Sequence, residues 1–277
     1  MEIKAKKSLG QNFLKDEAIL QRIIESAKLS ADDVVIEIGP GQGVLTELLT
    51  EVAKKVMAIE LDDRLVEMLN NKLRNKENIE IIHDDILKIN LPELIFNKLK
   101  KLKAKEVKYK VVANIPYYIT APIIKLFLET KFPPSEMILM VQKEVAERIC
   151  AKAGKMSILA VSVQYYAQPE YLFTVSKESF EPMPKVDSAV IRIIRNKKPA
   201  SPAGRRETRN KQDVKKFFRI VRAGFSAKRK TLANNLSNGF QIDKKTSEEK
   251  LIALGFSKNT RAQELTVEDW RKIENIL

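Results

Sequence analysis

Val34-Val35-Ile36-Glu37-Ile38-Gly39-Pro40-Gly41-Gln42-Gly43 is the stretch that decides the fold. Four of its first five residues are β-branched and apolar, so the run predicts a buried strand that the following glycines end in a tight turn. Beyond the turn Leu45, Leu48, Leu49 and Val52 recur at helical spacing, which predicts an amphipathic helix from Val44 to about Lys54. Strand, glycine turn and helix N-terminus in that order make a nucleotide cradle. Glycines admit a ligand close to the backbone, and the free N–H groups of the helix face it. The spacing is Gly-x-Gly-x-Gly and not the G-x-G-x-x-G of dinucleotide folds, so no pyrophosphate site is promised.

The next strand, Val56-Met57-Ala58-Ile59, ends in Glu60, 21 residues past Gly39. A carboxylate there can accept from both hydroxyls of an adenosine ribose, which favours a nucleoside-containing cofactor over a simple turn. A third strand, Ile79 to Ile82, runs into His83-Asp84-Asp85. Adjacent acids at a strand end either cap the turn that follows or, in a functional reading, let Asp85 accept from an adenine amino group. His83, the single histidine, reads as a packed or surface residue.

A fourth strand end is Val111-Val112-Ala113-Asn114-Ile115-Pro116-Tyr117-Tyr118. Proline lacks an N–H and holds its predecessor extended, so the turn is stiff and its carbonyls point in fixed directions. An amide beside such a carbonyl suits a flat group bearing an NH2, and a tyrosine ring one residue on can stack on it. Adenine is such a group. Read alone, the four residues Asn114 to Tyr117 are more simply a strand-end turn whose amide caps backbone and whose ring packs. Further along, Phe180 stands between Ser179 and the proline-stiffened Glu181-Pro182-Met183-Pro184-Lys185, either as loop packing or as a second stacking face for a base.

Composition narrows the chemistry. The 277 residues carry 50 Lys and Arg against 36 Asp and Glu, a net charge of +14 that points to a polyanion partner, RNA or DNA before membrane. One histidine and one cysteine exclude an internal disulfide, a multi-thiolate metal site and the usual His-rich metal sites, so no metal is expected. Cys150 reads as a buried structural residue in a helix from Val145 to Ala153. No apolar run nears the ~20 residues of a membrane span, and no signal-peptide core follows the early lysines, so a cytoplasmic protein is expected. Lys98 to Lys110 holds seven lysines against one acid, a solvated face or part of a phosphate-binding rim. From Pro199 to Leu277 there are 18 basic and 9 acidic residues, with Arg219, Arg222, Lys228, Arg229 and Lys230 close together, a density suited to gripping RNA phosphates.

Gly10-Gln11-Asn12-Phe13-Leu14, Glu37-Ile38-Gly39-Pro40-Gly41, Glu60, Asp84-Asp85 and Asn114-Ile115-Pro116-Tyr117 together resemble the rRNA adenine N6,N6-dimethyltransferases. Phe180 to Ser188 and Gly224 to Leu236 match too, so the resemblance spans nearly the whole chain. It is strongest to the bacterial branch that dimethylates two adjacent adenosines near the 3′ end of small-subunit (16S) rRNA. The resemblance implies an α/β fold: a class I, Rossmann-like methyltransferase domain with a seven-stranded, mostly parallel sheet, then a small all-α domain. The expected boundaries are 1–198 for the methyltransferase domain, 199–212 for a linker and 213–277 for a helical RNA-binding domain. It implies S-adenosylmethionine held at Asn12, Leu14, Gly39, Glu60, Asp85 and Asn114, and catalysis at Asn114, Pro116, Tyr117 and Phe180. The expected partner is small-subunit rRNA in the immature 30S subunit, met by a monomer. Three rivals remain: the sister group that dimethylates large-subunit rRNA, an RNA-binding assembly factor with secondary catalysis and, more distantly, an NAD-dependent dehydrogenase.

Overall fold

The structure, a computed structural model, describes residues 3–6, 9–101, 108–196 and 211–277. It begins with a short strand, β1 (Phe13–Leu14), and a helix, α1 (Glu17–Ala27), whose first turn is capped by the Asp16 carboxylate accepting from the Ile19 N–H at 3.2 Å. Strands and helices then alternate: β2 (Val34–Ile38), α2 (Val44–Val52), β3 (Lys55–Glu60), α3 (Asp63–Lys72), β4 (Ile79–His83), α4 (Leu91–Lys101), β5 (Lys110–Asn114), α5 (Thr120–Glu129) and β6 (Glu136–Gln142). Next come α6 (Lys143–Ile149), α7 (Ile158–Tyr166), β7 (Ala167–Val175), β8 (Phe180–Glu181) and β9 (Ser188–Arg195). Helices α8 (Lys211–Gly224), α9 (Leu232–Phe240), α10 (Lys244–Ala253) and α11 (Val267–Glu274) follow.

Seven strands form one sheet in the order β4-β3-β2-β5-β6-β9-β7, parallel from β4 to β6 and antiparallel on both sides of β9. All five residues of β2 are buried, as a strand covered on both faces requires. From β2 the chain moves outward to β3 and β4, then returns to β5 on the opposite side of β2. That reversal opens a crevice at the carboxyl ends of the strands, where open α/β sheets take their ligands.

The chain divides into two compact units, one of residues 1–146 and 167–195, the other of 147–166 and 196–277. In the first, Leu20 and Ile23 of α1 and Leu45 and Leu49 of α2 bury against Val35, Val56 and Val112 of the sheet. In the second, α7 packs with the later helices: the Tyr165 ring lies 4.5 Å from Phe217 and 5.2 Å from Phe218. Residues 147–166 therefore group with the helical unit, whereas the expected boundaries put them in the first domain. Linear order hid this, because Ala160, Val161 and Tyr165 find their apolar partners more than 50 residues downstream. The expected linker lies mostly, and the lysine-rich stretch partly, outside the described residues. Helix α6 stops at Ile149, so Cys150 sits just past a helix end and is half-buried, not in a helical core.

Candidate active site

A cavity of about 190 Å³ opens at the carboxyl ends of β2, β3, β4 and β5. Its wall includes all the residues singled out above: Asn12, Leu14, Gly39, Glu60, Asp85, Asn114, Pro116, Tyr117 and Phe180. Every one of them belongs to the first unit.

The floor is the glycine turn. Gly39, Gly41 and Gly43 have φ of 63°, 59° and 76°, the left-handed region where a Cβ is strained. A Cβ on Gly43, the N-cap of α2, would also stand 2.6 Å from Leu69 Cδ2. The turn is thus fixed by backbone conformation and by close approach.

Four acids line the cavity of this basic protein, Glu37, Glu60, Asp84 and Asp85, and the first, second and fourth are each held differently. Glu60 is 5% exposed; its Oε1 accepts from the Leu61 and Asp62 N–H groups, both at 2.9 Å, and its Oε2 from the Gly41 N–H at 3.2 Å. Burial raises its pKa while those three N–H groups pull it down. A carboxylate has about four lone-pair sites, so three backbone donors leave capacity for one more. Asp85 does cap its turn, accepting at Oδ1 from the Leu87 N–H at 3.0 Å, with Lys88 3.5 Å from Oδ2. Glu37 was not among the expected site residues. It is 2% exposed, and burial pushes its carboxyl up to about 8; the Thr46 hydroxyl pulls it back and Glu60 adds to the rise. Its Oε2 has no partner of full hydrogen-bond geometry among the described residues, nor has Thr46 Oγ1. Such a group suits a cationic ligand.

Opposite the acids stands the stiff turn after β5. Asn114 Nδ2 donates to the Asn12 carbonyl at 3.5 Å, and Asn12 Nδ2 donates to the Gly10 carbonyl at 3.2 Å. The Pro116 carbonyl accepts from the Ile119 N–H at 3.2 Å as the chain turns into a 3-10 helix over Tyr117–Ile119. Tyr117 is half-buried, with its hydroxyl 2.7 Å from Ser188 Oγ on β9. Burial raises the phenol pKa, so the ring is neutral at any ordinary pH. Phe180 is 5% exposed and packs in the same apolar core as Leu14, so it is a wall of the cavity and not an open ring face. His83 is exposed, with Nε2 3.3 Å from the Leu61 carbonyl.

The segment carrying Asn12 is tied down by Asp62, which the sequence did not single out. The Asp62 side chain is fully covered, and its oxygens accept from Lys6 Nζ at 2.9 Å and from Gln11 Nε2 at 3.0 Å. Arg64 adds Nε at 3.0 Å and Nη2 at 2.7 Å. The Arg64 guanidinium, followed by Lys6 and Gln11, holds the Asp62 carboxyl far below the usual range. Asp62 is legible locally as the cap of α3, but nothing in its neighbourhood announces partners more than 50 residues away.

The sheet order, its one reversed strand β9 and the glycine-floored cavity at the switch point define a Rossmann-like methyltransferase. The solved structures agree: a dimethyladenosine transferase from Plasmodium falciparum superposes with a TM-score of 0.74 at 26% identity, covering 94% of this chain and 95% of that one. A 23S rRNA methyltransferase, ErmE, gives 0.72 at 26% identity, covering 95% and 98%. A model of the ribosomal RNA adenine dimethylase family matches residues 2–277, and the chain belongs to that family. It is 41% identical to the ribosomal RNA small subunit methyltransferase A of Dehalococcoides mccartyi over 98% of this chain and 88% of the relative. To the protein of that name from Geobacillus kaustophilus it is 42% identical, over 98% and 90%.

Proposed function

We propose that the chain transfers methyl groups from S-adenosylmethionine to N6 of two adjacent adenosines near the 3′ end of 16S rRNA, in the immature small subunit. The observation that carries this is the Asn114 amide. With its nitrogen donating to the Asn12 carbonyl, its oxygen is left to accept from an amino group in the cavity. The residues fit the cofactor by donor type: Glu60 has acceptor capacity for one ribose hydroxyl, Asp85 offers Oδ2, shared with the exposed Lys88, to an adenine amino group, and Glu37 is a buried carboxyl suited to a positive charge. Gly39 gives the ligand access to backbone, and Asn12 and Leu14 close the cavity from the N-terminal side.

The bound cofactor supplies an electrophilic methyl on a sulfonium. Adenine N6 is a poor nucleophile because its lone pair is delocalised into the ring. Accepting from both N6 hydrogens favours a more tetrahedral nitrogen, and the Asn114 side-chain oxygen is the first acceptor. The Pro116 carbonyl was the expected second; it is already engaged by Ile119, which fixes its direction and leaves one lone pair. The Ile115 carbonyl takes no hydrogen bond among the described residues and is the freer second acceptor. Tyr117, anchored through Ser188, offers its ring to the extruded base, with Phe180 as a wall behind. No base of tuned pKa is required, since the proton leaves after transfer. Holding the reacting atoms ~3–3.5 Å apart supplies most of the acceleration.

The helical unit is the proposed RNA grip: Arg219, Arg222, Lys228, Arg229 and Lys230 are all exposed. No described helix is long and apolar enough to cross a membrane, and we place the protein in the cytoplasm with its ribosomal substrate. The large-subunit reading is disfavoured, because the small-subunit relatives are 41–42% identical and the 23S enzyme 26%. Mapping modified adenosines in cells that lack the protein tests the proposal: the adjacent pair in 16S rRNA should lose its methyl groups while 23S rRNA is unchanged.

A further inference from the structure

Tyr117 and Tyr118 are consecutive, both line the cavity, and they are held in opposite ways. Tyr117 is half-buried with its phenol bound to Ser188 at 2.7 Å. Tyr118 is 58% exposed, and its hydroxyl takes no hydrogen bond among the described residues, so the ring does little for the core. Both sit in the 3-10 helix Tyr117–Ile119, where three residues complete a turn and neighbouring side chains diverge by about 120°. The two rings therefore cannot serve the same base. One flank of Tyr118 is backed by Gly10: a Cβ there would lie 3.2 Å from Tyr118 Cδ1, and the φ of +60° at Gly10 suits glycine. The ring is a supported plate at the cavity mouth with more than half its surface open.

We propose that Tyr118 stacks on the nucleobase next to the one held for methylation. This rests on the function proposed above and adds a recognition residue to it. Extruding one adenine from a run uncovers the π-face of its neighbour, and an aromatic plate beside the cavity replaces the lost stack. The chemistry of two adjacent targets favours a ring over a hydrogen-bonding group. Once one adenine is dimethylated its N6 has no N–H left to donate, but its π-face is intact. A stacking surface thus accepts the neighbour in either state, whichever of the pair is treated first.

The test uses the full chain, immature small subunits and methyl-labelled S-adenosylmethionine. Y118A should raise KM for the RNA about 5- to 150-fold, the range for losing one base–aromatic stack, with cofactor affinity and kcat little changed. Y118F keeps the ring and should recover most of that loss. In a short RNA with 2-aminopurine beside the target adenine, binding should quench the probe with the wild-type ring and much less with Y118A. An unchanged RNA KM in Y118A, or a change confined to cofactor affinity, overturns the assignment while leaving adenine methylation standing. A wild-type chain that puts no methyl on adenine overturns both.

Discussion

Glu37→Gln isolates the cost of a carboxyl buried at the cofactor cavity. In the folded chain the group titrates near 8, against 4.5 for an ordinary glutamate. Between those values the unfolded chain ionises and the folded chain keeps its proton. Native stability therefore falls by about 1.4 kcal/mol per pH unit on account of this one residue. The loss is absent below pH 4.5, builds across the window and is complete above about 8. At pH 7 it amounts to roughly 3 kcal/mol. Glutamine keeps the shape, carries no charge and can donate to Thr46 Oγ1, which has no partner of full hydrogen-bond geometry among the described residues. Urea unfolding of cofactor-free protein at pH 5, 6, 7 and 8 should show the variant gaining on the wild type as pH rises, by about 2–3 kcal/mol at pH 7. A positively charged cofactor favours the ionised carboxylate, so its binding should tighten with pH in the wild type and less in the variant. Parallel stability curves for the two proteins would refute the reasoning, because the carboxyl would then ionise alike in both states.

Three other substitutions probe the same region. Asn114→Ala removes the first acceptor for N6 and should cut kcat by about 10²-fold or more even at saturating cofactor, read by label transfer. Asp62→Ala strands Lys6, Gln11 and Arg64, and costs the cap of α3. The two cations are 38–39% exposed and re-solvate in part, so the expected loss in urea unfolding is about 2–4 kcal/mol. That contribution should be constant above pH 4 and fade only as pH falls toward the depressed pKa of the Asp62 carboxyl. Gly43→Ala combines a left-handed φ with a Cβ 2.6 Å from the buried Leu69, and should destabilise by about 2–3 kcal/mol with weaker cofactor binding.

Most of the first unit was legible because its signals are local. Val34 to Ile38 and the glycines after it state strand, turn and helix within ten residues, and Glu60 follows at the end of the adjoining strand. What escaped depends on contacts distant in sequence. Glu37 reads as one polar residue in a strand until the sheet closes over it, and burial alone then makes it an unusual acid. Asp62 looks like an ordinary helix cap; that it tethers the segment carrying Asn12 appears only when residues 6 and 11 come back across the sheet. Phe180 lies on the cavity wall, but its pairing beside Leu14 between β1 and β8 covers the ring that sequence left open. The grouping of residues 147–166 with the helical unit was hidden in the same way, because an apolar helix does not announce which core it joins.

The most direct measurement is to incubate the chain with methyl-labelled S-adenosylmethionine and immature small subunits, then map the label by mass spectrometry of the digested RNA. Two neighbouring N6,N6-dimethyladenosines are expected near the 3′ end of 16S rRNA, formed about 10²-fold more slowly when Asn114 is replaced by alanine. Label on a ring carbon, on a ribose or on large-subunit RNA would contradict it.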